Sequence, residues 1–318
     1  MGFVVREGSP DIVPTVTTLS VIVPATDSPS TLDRCVAAIH RAGGADEVIV
    51  VDGPPHLSAS AARNAGAAQA RGDALVFVDA DVEVDPAALA RIRQAFTRDA
   101  ELTAVFGSYD DSPAAEGVVS EFRNLLHHHV HHTAAGPAET FWSGLGAVRA
   151  DAFARCGGFD ADRFPLPSIE DIDLGVRLRA GGARILLDPS IQGTHLKRWT
   201  LRSMVVTDVM LRGAPWVALM LRSGRATTAL NLGWRHRLTA GACAAAFASL
   251  LAGRPRLAAT ATAAVVGLNH DLYRLLGRRH GAAHAAAGVG LHMLHHLSGI
   301  AAVPLGVLVH LRDRRRRP

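Results

Sequence analysis

Short β-branched runs alternate with amphipathic stretches through the first two hundred residues. The run "TLSVIVPA" (18–25) predicts a buried strand ended by Pro24. The helix "LDRCVAAIHRAG" follows, with Ser30 or Thr31 as its cap and Gly43-Gly44 as its stop. "DEVIVVDG" (46–53) is a second strand ending in Asp52, "SAARNAGAAQARG" a second helix, and "DALVFVDAD" a third strand ending in Asp79. Strand–helix alternation at this spacing predicts a mostly parallel sheet with helices on both faces. Ligands of such sheets bind at the carboxyl ends of the strands. Next come a helix "PAALARIRQAF", a strand "TAVFGSYDD", and a polar, loop-rich middle (110–140) that contains "NLLHHHVHH". The segments "ETFWSGLGAVRADAFARCGGFD" and "SIEDIDLGVRLRAGG" precede a strand "ARILLDPS" that leads to "GTHLKRWT".

From 201 to about 235 the pattern is that of amphipathic helix with paired Arg and Trp, and from 238 the character changes. Three Ala-rich apolar segments are divided by "RPR" and "GRRH", and the last contains Pro304, which predicts a kink. A membrane span needs about 20 mostly apolar residues. Basic clusters bracketing the runs favour two or three membrane helices over a soluble Ala-rich bundle. The expected organisation is an N-terminal tail (1–17), an α/β domain (18–200), connecting amphipathic helices (201–236), membrane helices (237–312) and a basic tail (313–318).

Composition narrows the classes. The chain of 318 residues is 48% hydrophobic and 19% charged, with a net charge of only +4. Its arginines collect at the end, which suits an anionic membrane surface. With aromatics at 5%, an interleaved basic and aromatic nucleic-acid surface is not expected. Cys35, Cys156 and Cys243 form no metal spacing and suggest a reducing compartment. The start lacks a signal-peptide run, which leads us to expect the α/β domain in the cytosol. The high Ala, Arg and Gly content suggests a GC-rich genome.

Candidate chemistry gathers at strand ends. Asp79 and Asp81 supply hard oxygen ligands suited to Mg²⁺ or Mn²⁺. Asp52 ends the preceding strand, and Arg63 and Asn64 lie on the helix between the two. Glu170 beside Asp171 would raise the Asp171 pKa by like-charge repulsion, towards that of a general base. Neither glycine-rich phosphate cradle is present. His127/His131 and His128/His132 have i,i+4 metal spacing without a clear third ligand, so a polar helix near the cleft, or a protonatable patch at the membrane surface, is expected.

Six segments taken together resemble the family-2 glycosyltransferases of GT-A fold, of a membrane-associated bacterial type: "VIVPATD", "VIVVDG", "RNAGAAQARGDALVFVDAD", "FWSGLGAVRADAFARCGGFD", "IEDIDLGVRLRAGG" and "HLKRW". The resemblance covers roughly residues 18–200. It implies inverting transfer of one sugar from a nucleoside-diphosphate sugar, with Mg²⁺ or Mn²⁺ held by Asp79 and Asp81. By the same resemblance Asp52, Asp27 and Arg63 contact the donor, Asp171 with Glu170 is catalytic, and Trp142, Ser143 and Gly144 floor the acceptor pocket. Gly158 and Phe159 close the turn that follows. "HLKRW" is close to the Q-x-x-R-W element of polysaccharide synthases, implying Arg198 on the diphosphate and Trp199 on the acceptor. His195 stands in place of the Gln and is a candidate metal ligand. The loop "VDGPPHLSAS" departs from the family pattern, so the resemblance does not name the donor. The expected acceptor is lipid-linked or lipophilic, met at the cytoplasmic face of the cell membrane, with no nucleic-acid partner. Two rivals are a catalytically silent membrane scaffold and a nucleotidyltransferase; the Gly-rich loop of the latter is missing after the first strand.

Overall fold

A computed structural model describes residues 17–27, 29–55, 57–224 and 233–315. Residues 1–16 of the N-terminal tail and the last three residues of the basic tail lie outside the described residues. Strands β1 (Leu19–Pro24), β2 (Glu47–Val51) and β3 (Ala74–Val78) run parallel, joined by α1 (Leu32–Ala42) and α2 (Ala59–Gln69). The short β4 (Val82–Val84), α3 (Ala88–Arg98), β5 (Leu102–Tyr109), α4 (Val118–Thr133) and β6 (Gly136–Pro137) follow. Then come β7 (Leu145–Arg149), α5 (Ala150–Arg155), α6 (Glu170–Ala180) and β8 (Arg184–His195). The sheet order is β2-β1-β3-β7-β5-β8-β4, with β6 on β8. β7 runs against β3 and β5, while β5 and β8 are parallel, so β1, β2, β3, β5 and β8 share one direction. That common direction brings the ends of β1, β2 and β3 to one edge.

Alternation along the strands sorts the core into two layers. Val21, Val23, Val76 and Val78 pack under Cys35 and Ile39 of α1 and Leu89, Ile92 and Phe96 of α3. Ile22, Leu75, Phe77, Phe106 and Val148 face the other way, onto Phe153, Phe159, Leu174 and Leu178. Phe77 is the hub of that layer, with ring centroids 5.4 Å from Phe153 and 5.1 Å from Phe159.

Two local expectations are corrected. Thr31 occupies the N-cap of α1 but its side chain makes no capping bond. The middle segment is not loop-rich: α4 is a 16-residue helix whose Phe122, Leu125, Leu126 and Val130 are buried. Their partners are Trp199, Met204, Leu272, Tyr273 and Leu276, all from later in the chain. Burial against another helix layer outweighs the polarity of the histidines on the opposite side of α4.

The chain after β8 is helical. α7 (Leu201–Val206), a π-helical turn (Thr207–Gly213) and α8 (Ala214–Ser223) form one run of 23 residues with mean hydropathy 1.4. After α9 (Trp234–Leu251), α10 (Pro255–Leu268) and α11 (His270–His280), α12 (Ala282–Arg315) continues as one helix through Pro304 with mean hydropathy 1.5. Among the described residues, the 201–223 run and α12 are the two helices long and apolar enough to cross a membrane. The first was expected to be an amphipathic connection; its apolar content is carried by residues on every side of the helix. Small residues let the two approach closely: Gly213 faces Ala302 and Gly306 faces Val217, with no room for a Cβ. Only 17% of the apolar stretch of α12 is buried, and Met210, Leu221, Phe247, Leu251, Val303 and Leu308 are exposed.

Because Phe77 is fully buried between two rings, Phe77→Ala is expected to lower unfolding stability by about 3–5 kcal/mol, seen as a large drop in Tm of the detergent-solubilised protein.

Candidate active site

The fold delivers carboxylates to one edge of the sheet and buries a single arginine between them. β3 ends at Val78, and the next amide, that of Asp79, donates to Gly144 O at 3.1 Å. Arg63 on α2 reaches up from below. Its guanidinium donates to Asp79 Oδ1 at 2.7 Å and to Glu170 Oε1 at 3.0 Å, and lies 5.3 Å from the Phe159 ring centroid. Arg63 is 4% exposed and Glu170 5%, so their pair is buried, while Asp79 at the other end of the guanidinium is partly open. Two carboxylates beside it hold the guanidinium well above its ordinary pKa against the opposing effect of burial. Asn64 completes the brace: its amide donates to Phe159 O at 2.8 Å and accepts from Phe159 N at 2.9 Å. The "RNAG" helix is thereby stitched to the turn that Gly158 begins with φ of 65°.

Asp171 stands next to Glu170 in the first turn of α6. Its carboxylate accepts from Ser143 N at 3.3 Å and from Ile172 N at 2.8 Å. Burial pushes its pKa up, the Glu170 charge adds to that, and Arg63 with the two amides opposes; the balance is about 7. The expected like-charge effect is present, but burial comes first. The segment bearing the acid is braced from outside the sheet. Ser168 Oγ donates to Leu211 O at 2.5 Å, and Phe164 and Ile169 pack with Leu219 and Trp216 of α8.

Asp81 sits at the start of β4, where its carbonyl accepts from Leu196 N at 2.8 Å. This bond sets Asp81 beside His195, whose Nε2 lies 3.5 Å from Asp81 Oδ2. His195 Nδ1 donates to Oδ1 of Asn124 at 2.6 Å, and the ring stacks on Tyr109 at 4.2 Å. An imidazole whose inner nitrogen is fixed in this way turns its outer nitrogen towards the cleft. The Asp79 and Asp81 side chains are 32% and 28% exposed. Among the described residues no group of three or more Asp, Glu, His or Cys side chains is placed to hold a metal ion. Asp81 and the oriented His195 are adjacent and partly open, and they offer oxygen and nitrogen donors of the kind Mg²⁺ or Mn²⁺ accept alongside waters and phosphate oxygens. This pair therefore fits part of such an ion's shell, with Asp79 nearby in the chain but bonded to Arg63.

The remaining expected residues divide. Asp52 is exposed after β2 and, with Ala25, Pro29, Ser30, Leu32 and Asp33, lines an open pocket of about 260 Å³. Asp27 is exposed on the turn after β1, and Arg198 is exposed beside Lys197. The Trp142 ring covers Gly144, where a Cβ would collide with it, and meets Tyr109 edge-on at 4.9 Å, so Trp142, Ser143 and Gly144 adjoin Asp171 as a unit.

Four expectations are corrected. Trp199 is only 8% exposed: its backbone bonds to Ser120, and its ring lies 5.0 Å from the Arg123 guanidinium and 4.9 Å from Lys197 Nζ. It is a core residue under α4 and offers no open face for a sugar. Arg63 is taken up by Glu170 and Asp79, and Glu170 by Arg63, so neither offers a free side chain to a donor or acceptor. Burial lowers His127, His129, His131 and His132 of α4, so these four form no protonatable patch. His128 and His131 bond to the carbonyls of Tyr109 and Gly107, and burial pushes His131 and His132 down to about 4. Tyr109 and Asn124 were not anticipated. Val118, Phe122, Leu125 and Leu126 follow an i,i+3/i+4 pattern that signals helix inside the supposed loop, and Asn124 lies on that helix, at i,i+3/i+4 from His127 and His128.

Residues 54–156 match the model of Glycosyl transferase family 2. A mannosyltransferase from Pyrobaculum calidifontis, solved in complex with GDP-Man and Mn²⁺, is similar over 95% of this chain and 89% of its own, with TM-score 0.51 and 15% identity. GalNAc-T7, solved with UDP, GalNAc and Mn²⁺, aligns with 65% of this chain and 48% of its own at TM-score 0.46 and 16% identity. No curated protein matches the sequence. The family match is confined to residues 54–156, and the likeness to the mannosyltransferase is one of fold.

Removing Arg63 leaves Glu170 buried beside Asp171 without a counter-charge. Arg63→Met is expected to cost about 3–5 kcal/mol of stability, measured by thermal unfolding in detergent.

Proposed function

We propose that this protein transfers one sugar from a nucleoside-diphosphate sugar to an acceptor hydroxyl, with inversion, at the cytoplasmic face of a membrane. The observation that carries this reading is Asp171: a carboxyl with a pKa of about 7, in the same cleft as the Asp81–His195 pair that fits part of a divalent ion's shell. Asp79, Asp81 and His195 would hold Mg²⁺ or Mn²⁺, and the bound ion would stabilise the charge of the departing nucleoside diphosphate. Asp52 and Asp27 lie on the side of the cleft where base and ribose would rest. Ser143 N and the N–H of Ile172 orient the Asp171 carboxylate, and the Trp142–Gly144 floor keeps the acceptor against it. In the reaction the acceptor oxygen bonds to the anomeric carbon as the bond from that carbon to the diphosphate oxygen breaks. The hydroxyl proton passes to Asp171. One base and in-line displacement give inversion.

The acceptor is read as lipid-linked or lipophilic, and the protein as membrane-associated, because the helix bearing Leu211, Trp216 and Leu219 both braces the Asp171 segment and is long and apolar enough to span. A single addition suits a cleft flanked by so few apolar helices. The intact carboxylate set favours turnover over a silent scaffold.

With the detergent-solubilised protein, Mn²⁺ or Mg²⁺ and a panel of UDP-, GDP- and dTDP-sugars, release of nucleoside diphosphate from one donor is expected, abolished by chelation and by Asp81→Ala. Asp171→Asn is expected to bind that donor with unchanged affinity and to lose transfer by about 10²–10⁴-fold. Normal transfer by this variant would remove Asp171 from the mechanism. A base must be ionised to accept the proton, so kcat/KM is expected to fall about tenfold per pH unit below about 7 and to level off above it. A flat profile between pH 5 and 8 would show that another group is the base.

A further inference from the structure

The two long apolar helices lie side by side and point the same way. Asp208 meets His295 at 2.8 Å, Gly213 faces Ala302, Gly306 faces Val217, and Arg222 meets Asp313 at 2.5 Å. Residue numbers rise together along both, so the pair is parallel. The α/β domain follows the 201–223 run for most of its length. Met204 is buried with Phe122 and Leu125 of α4, Leu211 O accepts from Ser168 Oγ, and Trp216 and Leu219 pack on Phe164 and Ile169. From Met204 to Leu219 is about 22 Å of helix at the α-helical rise.

A run standing across a bilayer would carry this flank of the domain into a hydrocarbon core about 30 Å thick. The flank includes Arg163, paired with Asp173, and the non-helical backbone of 160–168. Within the helix pair, Asp208 joins Arg123 and His295 in a buried ionic cluster. Lipid offers no partners to such groups. The α9–α11 segment makes no net crossing either. It begins beside the domain, where Arg235 meets His129 at 2.8 Å, and ends beside it, where Arg279 meets Asp111.

The outer side of α12 is apolar. Ile300, Val303, Val307, Leu308 and Leu311 are exposed, whereas Ala302 and Gly306 are buried against the 201–223 run. The exposed five recur at three and four residues and form one stripe. Exposed cations stand at both ends of the pair, Lys197, Arg198 and Arg202 at its start and Arg312, Arg314 and Arg315 at its finish.

We propose that the two helices lie in the plane of one anionic lipid leaflet and do not cross the membrane. The α12 stripe dips among the acyl chains, the flanking cations meet lipid phosphates, and the end of α12 stays on the side of the α/β domain. An in-plane helix needs one apolar side and cations at headgroup level, and this pair offers both. The proposal rests on the reading of the protein as membrane-associated and is independent of sugar transfer.

The test uses the full chain in intact cells and in inverted membrane vesicles, with a membrane-impermeant maleimide read residue by residue by peptide mass spectrometry. Arg98→Cys, on the exposed side of α3, reports the side of the α/β domain. Ser223→Cys and Arg314→Cys place thiols at the far ends of the two helices. Both are expected to react in the same preparation as Arg98→Cys, at least about tenfold more than in the other. Reaction of either from the opposite side overturns the proposal. Protection of Arg314→Cys in both preparations also overturns it, because the helix end would then lie within hydrocarbon. Val307→Asp combined with Leu308→Asp is expected to lower the share retained in the membrane fraction after a high-salt wash by at least about tenfold, at unchanged Tm. An unchanged distribution overturns the stripe as the lipid contact. Recovery of the wild-type chain wholly in the soluble fraction would overturn the membrane reading itself, a result distinct from labelling on the wrong side.

Discussion

The buried guanidinium of Arg63 is the interaction on which the site depends. Without it, Asp79 at a strand end and Glu170 at a helix start would be carboxylates separated by more than ninety residues of chain, with no reason to approach. One cation between them converts repulsion into a bridge, and Phe159 covers one face of it. Buried ion pairs stabilise poorly in net terms, because desolvation offsets most of the attraction, but they are intolerant of losing a member. That combination specifies geometry. The same charge also tempers Asp171, holding it near neutrality where burial and Glu170 alone would drive it higher.

The histidine side of the cleft is built by a different device. Asp81 and His195 are adjacent because β4 pairs with the end of β8, a register in which Val82 faces His195. The ring is then clamped from behind by Asn124 and from the side by Tyr109. α4, which supplies Asn124, is itself held by Trp199 and by the helices after residue 200. Orientation of a candidate ligand thus traces back to apolar packing far from it.

Much of this was legible in the sequence, because strands ending in Asp52 and Asp79 and the adjacent pair Glu170-Asp171 are local signals. The strand–helix alternation located the sheet edge, and the spacing of six segments pointed to the family. What escaped was long-range. The histidine run around 127–132 masked an apolar stripe, so α4 read as a loop. Trp199 was placed on the acceptor by resemblance to the Q-x-x-R-W element, whereas only the packed helix above it shows the ring covered. Arg63 looked like a phosphate contact until both of its partners were seen to be protein. The 201–223 run read as amphipathic because its charges were counted without knowing that Asp208 is buried and paired.

The contact of Ile169 and Phe164 with Trp216 and Leu219 bears on how this chain can be divided. Family resemblance ends near residue 200, which invites treating the preceding part as a portable module. The packing contradicts that boundary. A fragment ending there would uncover Ile169, free Ser168 from its carbonyl partner and lose the cover over α4, so the loop that aims the acid would have no fixed backing. The α/β part and the apolar helix that follows it are thus folded against each other, and a cut between them would open the backing of Asp171.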